Sequence, residues 1–352
     1  MNKITFISLA AAAMTLAASC DNSAIAPIAG EGSMQINFNI PASTRAAAVG
    51  HEADLKSVQM LIFDSDGSLY KYHSFSNAEI TAKSATVEKV MTGSYSVYVV
   101  ANGPMPNGVT SLTALKSTDI PLEQYNNTEE GFVMEGHNES VTVNSGETAS
   151  PSITISRYVS RVTLSSVTNG LAAAYGELTV KDVFLCNVVN TQNLGANKSA
   201  GNTAENWFNK EGRKDESTRN TSHIIDGSTY TASAAGLTYS KAGSNISNGS
   251  TYSAGMRFYA YPNPSTAKPD GFHASFAAQR TVLTIAASFK GKTYYYPVVL
   301  SNTPARNTTY DVKVTITGAG SDDPVKPVDN GSLKAEITVQ QWLDGTTYTE
   351  TF

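Results

Sequence analysis

Met34-Gln35-Ile36-Asn37-Phe38-Asn39-Ile40 alternates apolar and polar residues without a break. Successive side chains of a strand point to opposite faces, so this run has one dry face and one wet face. If Met34, Ile36, Phe38 and Ile40 are buried, each contributes roughly 1.5–3 kcal/mol. Together that is about 6–12 kcal/mol, comparable with the roughly 5–15 kcal/mol stability of a whole domain. The pattern alone leaves two readings open: an edge strand of an ordinary sheet, and a strand that can leave and be replaced.

Downstream the same short alternating runs recur between turn signals. Val58-Gln59-Met60-Leu61-Ile62-Phe63 and Ser68-Leu69-Tyr70-Lys71-Tyr72 flank Asp64-Ser65-Asp66-Gly67. Asp-Gly between two such runs predicts a hairpin, because Gly tolerates positive φ. The same residues resemble the start of a calcium loop but lack its further ligands and closing Glu. Further strands are expected at Thr86–Val90, Ser94–Ala101, Val141–Val143, Ser152–Ile155, Glu177–Asn187, Arg257–Tyr261, Thr281–Phe289, Lys292–Leu300 and Tyr310–Thr317. A short helix or irregular loop fits residues 110–135. The spacing predicts an all-β chain of β-sandwiches, with a domain boundary near Arg157. Residues 190–255, poor in apolar side chains, are expected to form a surface excursion with hairpins or short helical turns. Gly318–Ser332, with Pro324 and Pro327, reads as a flexible linker. Beyond it, Ala335, Ile337 and Val339 alternate with polar residues up to Trp342 and Leu343. Asp344-Gly345 breaks that run, and a second short strand carries Tyr348.

The N-terminus reads as an export signal. Lys3 precedes an uncharged apolar run, Ile4–Ala18, too short to span a bilayer comfortably. Leu16-Ala17-Ala18-Ser19-Cys20 resembles a lipobox, although Ala17 stands where Leu is usual. Cys20 is therefore expected to be lipidated, with an ordinary signal peptide as the alternative. The other cysteine, Cys186, sits in an apolar run and reads as a buried small side chain. One thiol in the mature part cannot form an internal disulfide.

The net charge of −5 comes without basic clusters, which argues against nucleic acid as a partner. No catalytic constellation is visible. The five histidines lack metal-motif spacing, and no nucleophile elbow or phosphate loop occurs. No cofactor, metal site or enzymatic activity is expected. Tyr294-Tyr295-Tyr296 with Tyr259 and Tyr261 fits two roles, half-buried packing or a sugar-binding platform. Trp342 likewise fits a core cap or an anchor in a neighbouring subunit.

Taken in order, several segments resemble the type V pilins, or fimbrillins, of Bacteroidetes-type bacteria. They are Leu16–Cys20, Thr44-Arg45-Ala46, Val58–Tyr70, Val97-Tyr98-Val99-Val100-Ala101-Asn102, Ser156–Leu164, Arg257-Phe258-Tyr259-Ala260-Tyr261-Pro262-Asn263, Arg306–Gly318 and Ile337-Thr338-Val339-Gln340-Gln341-Trp342. The resemblance implies two transthyretin-like Greek-key β-sandwich domains in tandem. It implies a signal peptide over 1–19 and a lipidated leader with a removable first strand over 20–45. The sandwiches would then cover 46–156 and 157–317, followed by a linker over 318–332 and terminal strands over 333–352. It also implies cleavage between Arg45 and Ala46 by an Arg-specific, gingipain-type surface protease. The cut would discard Met34, Ile36, Phe38 and Ile40. A donor strand of another subunit, carrying Ala335, Ile337, Val339, Trp342, Leu343 and Tyr348, would fill the gap.

The expected partners are other pilin subunits, including tip and anchor subunits, the protease, the outer membrane through the precursor's lipid, and a host or bacterial surface ligand. The expected function is a fimbrial subunit supporting adhesion or biofilm formation. The alternatives are a permanently lipid-anchored surface protein binding glycans or host proteins, and a tip or anchor pilin.

Overall fold

A computed structural model of the chain describes residues 30–40, 52–104, 108–125, 131–195, 206–208, 238–270, 277–300, 305–341 and 347–351. For 238–244, 341 and 347–351 it describes the backbone alone.

The N-terminal part contains β1 (Glu31–Asn39), β2 (Val58–Phe63), β3 (Leu69–Ser74), β4 (Ser84–Met91), β5 (Gly93–Ala101) and β6 (Asp119–Pro121). β7 (Met134–Val143), β8 (Thr148–Ala149), β9 (Ser152–Thr154) and β10 (Ser156–Arg157) follow. Three short helices interrupt them: α1 (Asn77–Ala82), α2 (Leu112–Lys116) and α3 (Leu122–Tyr125). Two sheets result. One runs β4-β1-β8, with β9 also on β1, and the other runs β10-β7-β5-β2-β3. The two sheets bury Met34, Ile36, Met60, Val87, Val97 and Val141 between them.

All six residues of β2 are buried. Val58, Met60 and Ile62 face the core between those two sheets, while Leu61 and Phe63 join a second cluster on the opposite face. This explains why Val58–Phe63 does not alternate cleanly: a strand covered on both faces has no wet side. The expected hairpin forms, with Gly67 at φ 83 and the Ser68 N–H donating to the carboxylates of Asp64 and Asp66. Among the described residues no group of three or more His, Cys, Asp or Glu side chains could hold a metal.

The C-terminal part contains β11 (Ser160–Asn169), β12 (Leu178–Cys186), β13 (Val188–Val189), β14 (Thr191–Asn193), β15 (Trp207–Phe208) and β16 (Thr238–Ile246). β17 (Thr251–Ala260), β18 (Val282–Phe289), β19 (Lys292–Val299), β20 (Thr308–Ile316), β21 (Leu333–Gln341) and β22 (Thr347–Thr351) complete it. Its sheets run β17-β11-β20-β21-β22 and β16-β12-β18-β19. The chain passes from the first pair of sheets to the second between Arg157 and Ser160, near the expected boundary.

Two expectations need correction. Within 190–255, strand structure is expected but not a place in the main sheets: β16 and the start of β17 extend them, and Trp207 is buried in the main core. Register with β11 extends β17 through polar residues whose sequence alone reads as loop. Gly318–Ser332 also does not run free as a linker. Tyr295 and Ser321 exchange both backbone hydrogen bonds, and the Thr284 hydroxyl donates to the Pro324 carbonyl at 2.7 Å. Val325 is buried against Phe184, Cys186, Val282 and Ala286, so the segment covers the outer face of the β16-β12-β18-β19 sheet. One apolar side chain and a few paired backbone groups suffice to dock it.

Candidate functional site

β1 is an interior strand. It starts earlier than the alternating run and ends at Asn39, leaving Ile40 half-buried beyond it. Antiparallel pairing with β4 sets Met34 opposite Val87 and Ile36 opposite Ala85. On its other side β1 runs parallel to β8 and β9, with Met34 opposite Ala149 and Phe38 opposite Ile153. The Ser33 N–H donates to Glu147 O at 2.9 Å and the Asn37 N–H to Pro151 O at 3.2 Å. Toward the β4 side, the Phe38 N–H donates to Lys83 O at 3.0 Å. Met34 and Ile36 are fully buried, and Phe38 meets Phe75 edge to face at 5.5 Å. At Gly32 a Cβ would lie 2.5 Å from Asn144 O and 2.7 Å from Glu147 O, so the backbones touch where β1 enters the sheet. Without β1, two rows of backbone groups and an apolar trench would stand open between β4 and β8–β9.

The terminal strands are paired inside their own chain. β21 runs antiparallel to β20, with Ile337 opposite Val312 and Ala335 opposite Val314. Ala335 and Ile337 are buried, and Val339 is partly so. Among the described residues β22 pairs with β21 alone, placing Tyr348 opposite Val339, and forms the sheet edge. Cys20, Arg45, Ala46, Trp342 and Leu343 lie outside the described residues.

The described chain resumes after the Arg45 segment at Glu52, which is fully buried at the junction between the two pairs of sheets. Arg161 of β11 donates to both Glu52 oxygens, at 3.1 and 2.8 Å. The Tyr259 hydroxyl donates at 2.6 Å, and Arg157 Nε donates to the Glu52 carbonyl at 2.9 Å. Burial, reinforced by the neighbouring Arg161 charge and opposed by Glu52, pulls the Arg157 guanidinium down to about 10. Burial first, then the bond to Glu52, pushes the Tyr259 hydroxyl up, so it stays a donor. Nearby, Arg306 lies over the Tyr158 ring at 3.8 Å and reaches the buried Glu135 carboxylate at 3.4 Å. Glu135 also holds His137 Nδ1 at 2.7 Å. β6 and β14 add a small antiparallel ladder across the same junction.

Arg157-Tyr158-Val159-Ser160-Arg161 lies at the expected domain boundary. Two arginines inside so apolar a run were the available signal for a buried acidic partner. Tyr259 is tied to Glu52, and Tyr261 and Tyr296 are buried. These three side chains pack within the fold, while Tyr294 and Tyr295 are half-buried. Cys186 is buried, with its sulfur 4.0 Å from the Thr284 hydroxyl.

Residues 33–221, more than half of the chain, match the model of a family described as major fimbrial subunit protein (FimA). No curated protein is significantly similar in sequence. A fimbrilin (FimA) from Porphyromonas gingivalis superposes with a TM-score of 0.61 at 14% identity, over 89% of this chain and 98% of that one. A candidate cell adhesion protein from Bacteroides eggerthii gives 0.61 at 20% identity, over 90% and 98%. A fimbrial assembly protein from Parabacteroides distasonis gives 0.51 at 12%, over 92% and 99%. At these identities the likeness is one of fold.

Proposed function

The chain belongs to the FimA major fimbrial subunit family and is a pilus subunit, and we propose that it assembles by exchanging its first strand for a strand of another copy. In this reading the precursor is lipidated at Cys20 and carried to the outer membrane surface. An Arg-specific protease then cuts between Arg45 and Ala46. β1 loses its covalent tie and leaves with the lipid, and a C-terminal strand of the next subunit enters the slot. Contact of this head-to-tail kind does not close, so it builds a filament that presents an adhesive surface.

The observation that carries the reading is the place of β1. An edge strand could leave without opening a core. β1 is paired on both sides and supplies Met34, Ile36 and Phe38 to the sandwich, so its loss would create a slot that demands a replacement. Arg157 and Arg161 are buried and Arg306 is stacked on Tyr158, which withholds these three from a surface protease.

A second reading is favoured by β21. Its pairing with β20 suits a monomeric, lipid-anchored surface protein whose terminal strands complete their own sheet. Exchange requires that pairing to be given up after the cut. β22, which among the described residues is held on one side alone, is the piece released at least cost.

The test is limited digestion of purified precursor with an Arg-specific protease. Exchange predicts a new N-terminus at Ala46 and a ladder of oligomers, neither of which forms with Arg45→Ala. Clean cleavage at Arg45 with the product remaining monomeric would sink it.

A further inference from the structure

β19 is the last strand of its sheet, and the C-terminal sandwich has a cavity of about 480 Å³ beside it. Pro269, Pro297, Val298, Pro327, Val328 and Leu333 give it apolar walls. Lys268 and Arg280 bring two positive charges and Asn330 an amide. Among the described residues that line it, none is acidic. Arg280 is positioned there: its backbone N–H donates to Ala267 O at 2.9 Å and its Nε to Thr266 O at 3.1 Å. The volume falls within the roughly 300–1,000 Å³ of small-molecule sites, which combine apolar walls with a few placed polar groups.

Leu333 and Ala335 of β21 form part of this wall, while the same strand is hydrogen-bonded to β20 with Leu333 opposite Ile316 and Ala335 opposite Val314. The cavity therefore exists in full only while β21 is in its own sheet. We propose that it binds a small amphiphilic carboxylate, a ring or short chain bearing one anionic group, and that the bound ligand holds β21 at home. The apolar body lies on the proline and valine walls. The carboxylate faces Arg280, whose planar fork suits it, and Lys268. A ligand that binds the form with β21 in place stabilises that form by linkage and opposes its release. This second half rests on the proposal that a terminal strand leaves during assembly.

Phenylbutyrate is a suitable probe, with phenylbutanol and phenylbutylamine as its neutral and cationic counterparts. Titrated into full-length precursor, phenylbutyrate is expected to bind saturably and raise the melting temperature. The alcohol and the amine are expected to bind at least about tenfold more weakly, as befits a lost charged hydrogen bond. Lys268→Glu, a change at an exposed side chain, is expected to weaken phenylbutyrate by about tenfold while leaving the unliganded melt in place. Arg280→Gln should do the same to binding. Equal binding of acid, alcohol and amine, or no saturable binding up to the solubility limit, overturns the site.

For the coupling, precursor saturated with phenylbutyrate is treated with Arg-specific protease. The oligomer ladder is expected to grow more slowly than without ligand, and Lys268→Glu to abolish the difference. An unchanged rate with ligand bound overturns the coupling. If no ladder forms even without ligand, strand exchange itself fails, and the titration still decides the cavity.

Discussion

Arg161 Nη1 donates to Glu52 Oε2 at 2.8 Å, joining the first described residue after the Arg45 segment to the first strand of the second sandwich. Both side chains are buried, and Tyr259 and Arg157 close around the same residue. A cut at Arg45 would therefore free β1 on one side while Glu52 keeps the remaining chain fixed at the junction.

Removing one member of this pair leaves the other charge buried without its partner, which costs about 3–5 kcal/mol. Glu52→Ala is expected to destabilise the precursor by about that amount, measured by urea unfolding. Arg161→Met alone should cost a similar amount, and the double variant Glu52→Leu with Arg161→Met less than the sum of the two singles. Additive losses would show that the two side chains are not energetically coupled.

Phe38→Ala removes the ring that meets Phe75 and is expected to lower the stability of uncut precursor by about 3–5 kcal/mol. Ile36→Ala should cost about 2–5 kcal/mol. If β1 departs on assembly, finished polymers made from either variant should dissociate in denaturant like wild-type polymers. A polymer weakened by Phe38→Ala would mean that β1 is still present in it.

The stability of the chain should depend on pH through Glu135 and His137. The hydrogen bond to Glu135 raises His137 above its usual 6.5, against a smaller opposing effect of burial. That contribution is complete below 6.5 and is lost as pH rises through the folded value. Burial pushes Glu135 up, but His137 and Arg306 together hold it below 4.5, so its contribution is lost as pH falls through its folded value. Glu139, Lys116 and the stacked Tyr98 ring face the same imidazole. The side chain of His137 is 42% exposed, so screening keeps its effect small. Melting temperature is expected to fall from about pH 6 to about pH 8, with a shallower fall in His137→Gln. Parallel pH curves for the two proteins would exclude this pair as the cause.

Lipid and strand should leave together. With labelled palmitate in growing cells, label is expected on the Arg45→Ala protein and absent from assembled fimbriae of the wild type. Cys20→Ala should abolish label in both. Fimbriae that keep the label would mean the precursor's leader is retained.

The alternation of Met34–Ile40 reads directly as a strand, and the structure buries Met34, Ile36 and Phe38 of its dry face while Ile40 is half-buried past the strand's end. The Asp64–Gly67 turn was equally legible, because positive φ at a glycine is a local property. Val58–Phe63 was visible as an apolar strand, but its second buried face was not, since what covers that face comes from distant parts of the chain. Nothing local marks Glu52, because a lone acid near a loop looks like surface until its arginine partners arrive 105 and 109 residues later.

The sequence by itself determined the β class and the family, and it alone carries the proposed export signal and the proposed cut. These follow from local order: side-chain period, turn chemistry and short motifs. Only the tertiary structure decided that β1 is an interior strand, that β21 and β22 sit in their own sheet, and that Gly318–Ser332 is docked. The physical reason is that the pleat sets which face of a strand is dry, whereas its neighbours are set by how the whole chain closes. Ser33 meets Thr148 across 115 residues, and no pattern within Met34–Ile40 records that partner.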